Sequence, residues 1–157
     1  MTEPAGVVLS VQLLDRHGEP PRAVAEARAL PEHGLEGDLH SRGRAGGSRQ
    51  VLLLDRGALE AAGLRPGDLR EQITVDFPPL ETLAPGTLLQ VGQAVLELTG
   101  PCEPCTHIGA LNGVADREAF RDALRGRRGQ LARVVRVEGR GTIRVGDRVA
   151  VWAPVPR

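Results

Sequence analysis

Apolar and polar residues alternate from Gly6 to Leu14, the period of a half-buried strand, and this predicts an opening strand over residues 6–14. Asp15 to Pro21 has the composition of a loop. Over residues 22–30 the alanines suit a helix, but Val24, Ala27 and Leu30 also fit a strand, and strand is the reading taken. Residues 33–48 are rich in Gly, Arg and His and predict a long irregular loop. A short apolar strand follows over 50–54. Asp55 then caps a helix through Ala62, closed by Gly63 and stopped by Pro66.

Residues 71–75 are short and β-like, and 88–91 with 94–99 make two strands around Gly92-Gln93. After a turn-rich segment, Asp116 caps a second helix that carries Phe120 and Leu124 at the i,i+4 spacing and is closed by Gly126. Residues 132–138 and 142–145 flank Gly139-Arg140-Gly141 as a hairpin, and a last strand runs over 148–152. Many short strands with two or three short helices predict a mainly β, barrel-like fold. No repeat or linker divides the chain, so the expectation is one domain over residues 6–152, with tails at 1–5 and 153–157.

Composition narrows the function. The chain has 157 residues, enough for one substantial core, and a formal net charge of zero. No global field therefore favours nucleic acid or an anionic membrane. Aromatic residues are 2%, with no Tyr, which removes the stacking platforms that single-stranded nucleic acids need. All 20 basic residues are Arg, so no lysine is available for Schiff-base chemistry. No signal-peptide pattern opens the chain and no apolar run is long enough for a membrane span. A cytoplasmic, reducing setting is expected, where a cysteine pair is more often reactive or metal-binding than a structural disulfide.

Both cysteines lie in Gly100-Pro101-Cys102-Glu103-Pro104-Cys105-Thr106-His107. A CxxC pair alone fits a zinc site, a thioredoxin-like site or two semi-buried thiols acting as small hydrophobes. Zinc is disfavoured because no second ligand pair exists, although His40 and His107 could complete a set. The thioredoxin-like reading is disfavoured because Pro101 and Pro104 make the segment a rigid turn. A thiolate that serves as a soft ligand or a sulfur carrier remains.

Gly34-Leu35-Glu36-Gly37-Asp38-Leu39-His40 is the second feature. His40 beside Asp38 is a candidate acid/base pair, although spacing alone favours Asp38 as a cap of local backbone amides. Arginines at 49, 70, 125, 127 and 128 can recognise phosphate oxygens, and no nucleotide-binding glycine loop accompanies them.

Taken in order, these segments resemble the MOSC family, named for the C-terminal domain of molybdenum cofactor sulfurase. The matching pieces are Gly34 to His40, Arg49 to Leu54, Leu64 to Ile73, Leu83 to Gly86, Val91 to Leu96, Pro104-Cys105 and Arg127 to Asp147. The resemblance implies a β-rich fold similar to the barrel inserted in pyruvate kinase. It places the family's key cysteine on Cys105, where it carries sulfur as a persulfide or ligates the molybdenum of the molybdopterin cofactor. It also implies cofactor contacts at Arg49, Arg70, Glu71, Gln72 and Arg128, with Asp38 and His40 joining Cys105 as catalytic residues.

Gln72 departs from the family's pattern, where Asn is usual. Cys102 becomes a candidate resolving partner for an oxidised Cys105. The implied activity is reduction of N-hydroxylated small molecules. The electrons come from an external reductase, since the chain shows no flavin, haem or iron–sulfur pattern. The alternatives are a persulfide carrier supplied by a cysteine desulfurase and a noncatalytic module stabilised by zinc. A homodimer is one expected assembly, with a second subunit closing the pocket.

Overall fold

The computed structural model of the protein describes residues 5–152, so the expected tails lie outside them except for Ala5, which begins the first strand. Eleven strands form in the order β1 (Ala5–Leu13), β2 (Arg22–Val24), β3 (Glu26–Leu30), β4 (Gly34–Leu35), β5 (Val51–Asp55), β6 (Ile73–Asp76), β7 (Leu88–Val91), β8 (Ala94–Pro101), β9 (Gln130–Val137), β10 (Thr142–Arg144) and β11 (Arg148–Val151). Three short helices are interspersed: α1 (Arg56–Ala61), α2 (Thr106–Leu111) and α3 (Arg117–Ala123). Single 3₁₀ turns occupy Leu39–Arg42 and Pro78–Thr82.

Seven strands close on themselves. Hydrogen bonding runs β1-β11-β7-β8-β9-β5-β6 and returns from β6 to β1, so the barrel leaves no long open edge. β1 can serve two neighbours because it is long: Ala5–Val7 pair with β11 and Val7–Val11 with β6, across an irregularity between Val8 and Ser10. Only β5 and β6 run parallel among these pairs, and α1 lies in the crossover between them. The barrel interior is filled by Val8, Val11, Leu53, Ile73, Val75, Leu89, Leu96 and Val134, among others, all essentially inaccessible to solvent.

A second, smaller cluster explains the helices. Leu54, Ala58 and Leu59 pack with Leu69, Ile108 and Leu124, so all three helices cover the outer face of β5. Val51 and Leu53 point into the barrel while Leu54 points into this cluster, which is why every residue of β5 is buried and its sequence shows no alternation. Each fully buried Leu there contributes on the order of 1.5–3 kcal/mol.

Four expectations need correction. The hairpin between 132–138 and 142–145 does not form: β9 pairs with β8 and β5, while β10 pairs with β3 in a separate three-stranded sheet. The Gly139–Gly141 turn sends the chain across to β3 instead, because Ala29 N–H donates to Gly141 O at 2.8 Å. The strand expected over 22–30 breaks at Ala25, leaving β2 on β1 and β3 on β10 and β4. Finally, the loop expected over 33–48 contains β4 and a 3₁₀ turn, and the cysteine segment ends in α2 rather than continuing as turn.

Candidate functional site

The chemistry collects around β5. β6 begins beside Leu53 where β1 finishes, and antiparallel β9 also begins beside Leu53 where β8 finishes, so the residues flanking those strands converge. A pocket of about 250 Å3 is lined by His40, Arg49, Arg70, Gln72, Cys102, His107 and Arg128. Its apolar floor includes Leu52 and Leu131, which are register partners on β5 and β9. The β1–β2 connection supplies a further wall through Leu14, His17 and Gly18.

Asp38 lies behind this wall, with no solvent exposure. Its Oδ1 accepts from Leu14 N–H at 2.8 Å and its Oδ2 from His40 N–H at 2.9 Å, so it caps the 3₁₀ turn that presents His40. The His40 Nδ1 stands 3.3 Å from Asp38 Oδ2 and 3.3 Å from Gln72 Nε2. The Gln72 amide is fixed in orientation because its Oε1 accepts from Leu52 N–H at 2.7 Å, which turns Nε2 toward Asp38 at 3.4 Å. Gln72 therefore ties β5 to the Asp38–His40 turn with both ends of its side chain.

Arg70 adopts a left-handed backbone at φ 61°, uncommon for a residue with a side chain. Its guanidinium lines the pocket and also donates from Nη1 to Glu19 O at 2.5 Å, pinning the β1–β2 connection. Burial, and next the neighbouring Arg128, hold Arg70 below the usual guanidinium value, with Asp38 opposing. Arg128 is 91% buried by area, since its relative exposure is 9%, and its Nη1 has no hydrogen-bond partner. Burial depresses its proton affinity most; the charges of Cys102, Glu71 and Cys105 act the other way, and Arg49 adds to the depression. A desolvated guanidinium with an unpartnered N–H beside two more arginines offers donors that anionic oxygens could accept from.

Glu71 faces inward, fully buried, and does not line the pocket. Thr74 Oγ1 donates to its Oε2 at 2.8 Å, while Oε1 has no partner. Burial pushes its carboxyl above the usual range, against the lowering effects of the Gly67 and Glu71 N–H groups, Thr74 and Arg128. Below about 4.5, the ordinary value, both folded and unfolded chains hold the proton. Above it the unfolded chain ionises while the folded chain keeps its proton, so stability falls by up to about 1.4 kcal/mol per pH unit. Glu71→Gln removes that term. As pH rises above 4.5 the variant is expected to gain on wild type in urea unfolding until the folded carboxyl itself ionises, and a gap independent of pH would show that burial does not perturb Glu71.

The two thiols differ in position. Cys102 is buried in the pocket wall, its N–H donating to Gly129 O at 2.9 Å. Cys105 is exposed at the N-cap of α2 and makes no capping hydrogen bond; in sequence it falls between the pocket-lining Cys102 and His107. Both are free. Among the described residues, no three or more His, Cys, Asp and Glu side chains gather as a metal-holding group.

Of the residues expected from sequence, His40, Arg49, Arg70, Gln72 and Arg128 meet in the pocket, whereas Asp38 and Glu71 are buried outside its lining and Cys105 is exposed and not part of it. Sequence reasoning did not single out His17 or the apolar floor, and it treated Cys102 and His107 as secondary. A usable signal existed for His107. Pro104 just before the N-cap and Asn112-Gly113 after Leu111 bracket a short helix that would place His107 near Cys105.

Gly129, next to Arg128, is required by space as well as by backbone. Its φ is +94°, and a methyl there would stand 2.5 Å from Leu53 O and 2.8 Å from Leu54 Cδ1. Neither the β5 carbonyl nor the packed leucine can move freely. Gly129→Ala is expected to cost about 2–4 kcal/mol in denaturant unfolding. A cost under 0.5 kcal/mol would mean the Arg128 turn is plastic.

Comparison with known proteins decides the family. A model of the MOSC domain matches residues 44–150, well over half of the chain. The chain belongs to the MOSC domain family. Solved structures share the fold. The YuaD protein of Bacillus subtilis superposes with a TM-score of 0.78 at 19% identity, over 92% of this chain and 94% of that one. YiiM of Escherichia coli gives 0.67 at 18% identity, over 96% and 72%. YiiM of Geobacillus stearothermophilus gives 0.68 at 16%, over 94% and 75%. A search of curated proteins finds no match. Among the described residues, no helix is long and apolar enough to cross a membrane.

Proposed function

We propose that this MOSC protein binds a molybdenum–pterin cofactor at the arginine pocket and reduces N-hydroxylated small molecules with electrons from a separate reductase. One observation carries the reading. Arg128, whose buried Nη1 has no hydrogen-bond partner, lines a pocket together with Arg49, Arg70 and the free thiol Cys102. That donor set suits a ligand with an anionic portion and a soft metal: guanidinium forks for oxyanion oxygens, thiolate sulfur for the metal. Arg49, Arg70 and Arg128 would hold the anionic portion, and the exposed Cys105, three residues beyond Cys102, would ligate the metal. When bound, the cofactor supplies two-electron redox chemistry that no side chain here can provide.

The protein's own contribution is positioning and proton handling. Asp38 and Gln72 fix the His40 ring at the pocket wall, where an imidazole can donate or accept a proton at a bound substrate. Leu14, Leu52 and Leu131 add apolar surface to the pocket lining. Elemental analysis of protein purified from a host that synthesises molybdopterin tests the reading. About one molybdenum per chain is expected; stoichiometric zinc in its place, or no metal, would overturn it.

A second reading, persulfide sulfur carriage, is favoured by the exposure of Cys105, which leaves that thiol open to a protein donor such as a cysteine desulfurase.

A further inference from the structure

The sulfur-carrier reading uses Cys105 alone, but the structure gives the two cysteines different positions. Cys105 is exposed and outside the pocket lining, whereas Cys102 is buried in the pocket wall. We infer that the pair is a directional relay: Cys105 receives sulfane sulfur at the surface and passes it to Cys102, which delivers it inside the arginine pocket. The inference rests on the carrier reading and adds the second thiol and the direction of transfer.

The steps balance without an oxidant or reductant. A donor persulfide or polysulfide gives its terminal sulfur to the Cys105 thiolate; an S–S bond forms on Cys105 and the donor leaves one sulfur shorter, as its thiolate or a shorter polysulfide. The Cys102 thiolate then attacks the terminal sulfur of the Cys105 persulfide. One S–S bond breaks, one forms, and Cys105 leaves as a thiolate. The proton carried by the persulfide follows the terminal sulfur.

Three observations set the direction. Access favours Cys105 for loading, because a bulky donor reaches an exposed N-cap residue and not a buried wall. Charge favours Cys102 for holding the sulfur. Among the acidic groups that support the buried Arg128 charge, Cys102 acts most strongly and Cys105 less so. An anionic persulfide therefore gains more from that guanidinium at position 102. The remaining groups lining the pocket, His17, His40, Arg49, Arg70 and His107, are cationic or neutral, so none repels an anionic sulfur there. Finally, only Glu103 and Pro104 separate the two cysteines, so the chain path between them is short.

A limiting pulse of inorganic polysulfide on the reduced protein, quenched with an alkylating agent at successive times, tests the relay. Tandem mass spectrometry separates the two sites because peptides fragment readily before Pro104. The expected result is extra sulfur first on Cys105 and later mostly on Cys102. Cys105→Ser should load Cys102 at least tenfold more slowly, Cys102→Ser should keep the sulfur on Cys105, and Arg128→Met should shift the final distribution back toward Cys105. Thermal melting of each variant confirms folding.

Sulfur that stays on Cys105 in wild type would overturn the relay while leaving sulfur carriage standing. Equal loading of Cys102 in Cys105→Ser would overturn the order of transfer, and with it the relay. Release of sulfide with formation of a Cys102–Cys105 disulfide would show that Cys102 resolves rather than receives, and would also overturn it. Sulfur on neither residue would overturn the relay and the carrier reading together.

Discussion

Serine in place of Cys105 is expected to leave the protein at least as stable as wild type and to reduce bound molybdenum from about one per chain to background. The two halves of this result have separate causes. Cys105 is exposed, packs into neither hydrophobic cluster, and makes no capping bond to α2 although it occupies the N-cap. A serine hydroxyl caps better than a side chain that makes no cap bond, by up to about 1 kcal/mol. For a chain of this size that is about 2–4 °C in melting temperature. The metal half follows from softness: a serine oxygen is a hard donor that stays protonated, and it replaces the thiolate that a soft metal prefers. Elemental analysis and thermal melting of the same preparation measure both. Molybdenum retained by Cys105→Ser would assign its binding to the arginines alone. A large fall in melting temperature would instead make Cys105 a structural residue.

The barrel strands were legible wherever one face met water. β7 alternates half-buried and buried residues, β1 and β8 mix partly solvated with buried ones, and the sequence located each to within a residue or two. β5 was legible for another reason, as an apolar run with Asp55 at its end. Asp55 caps α1 through Gly57 N–H at 2.9 Å and also accepts Phe77 N–H at 2.7 Å. Pairing was less legible than strand location. The turn at Gly139–Gly141 suits a hairpin locally, but β9 already has β8 on one side and β5 on the other, so no edge remains for β10. That occupancy is a property of the closed barrel and cannot be read from the turn.

The site followed the same division. Gln72, Arg70 and His40 could be named because they sit in short segments with a recognisable order. Which groups face the pocket was decided by burial: Glu71, between two pocket residues, turns inward, and Cys102, the less prominent cysteine in sequence, turns into the wall.

The second large effect is expected at Arg128, and its two parts have opposite signs. Arg128→Met should raise stability by about 1–3 kcal/mol, because it removes a buried charge whose Nη1 is unpartnered and replaces it with an apolar chain of similar length. The gain should shrink once the pH is high enough to ionise Glu71 in the folded protein. Glu71 draws support from Arg128, and that support matters only once Glu71 ionises. The same substitution should weaken inorganic phosphate or molybdate binding in titration calorimetry by about 100-fold, equivalent to about 2.7 kcal/mol. Arg128→Lys should restore only part of this, since an ammonium lacks the planar fork.

A guanidinium held against burial without a full set of partners destabilises the empty protein, and a site tolerates that cost where a ligand completes the set. The opposite outcome, a less stable Arg128→Met with unchanged anion affinity, would make Arg128 a brace between Cys102 and Glu71. The pocket would then lose the group that most strongly marks it as a receptor for an anion.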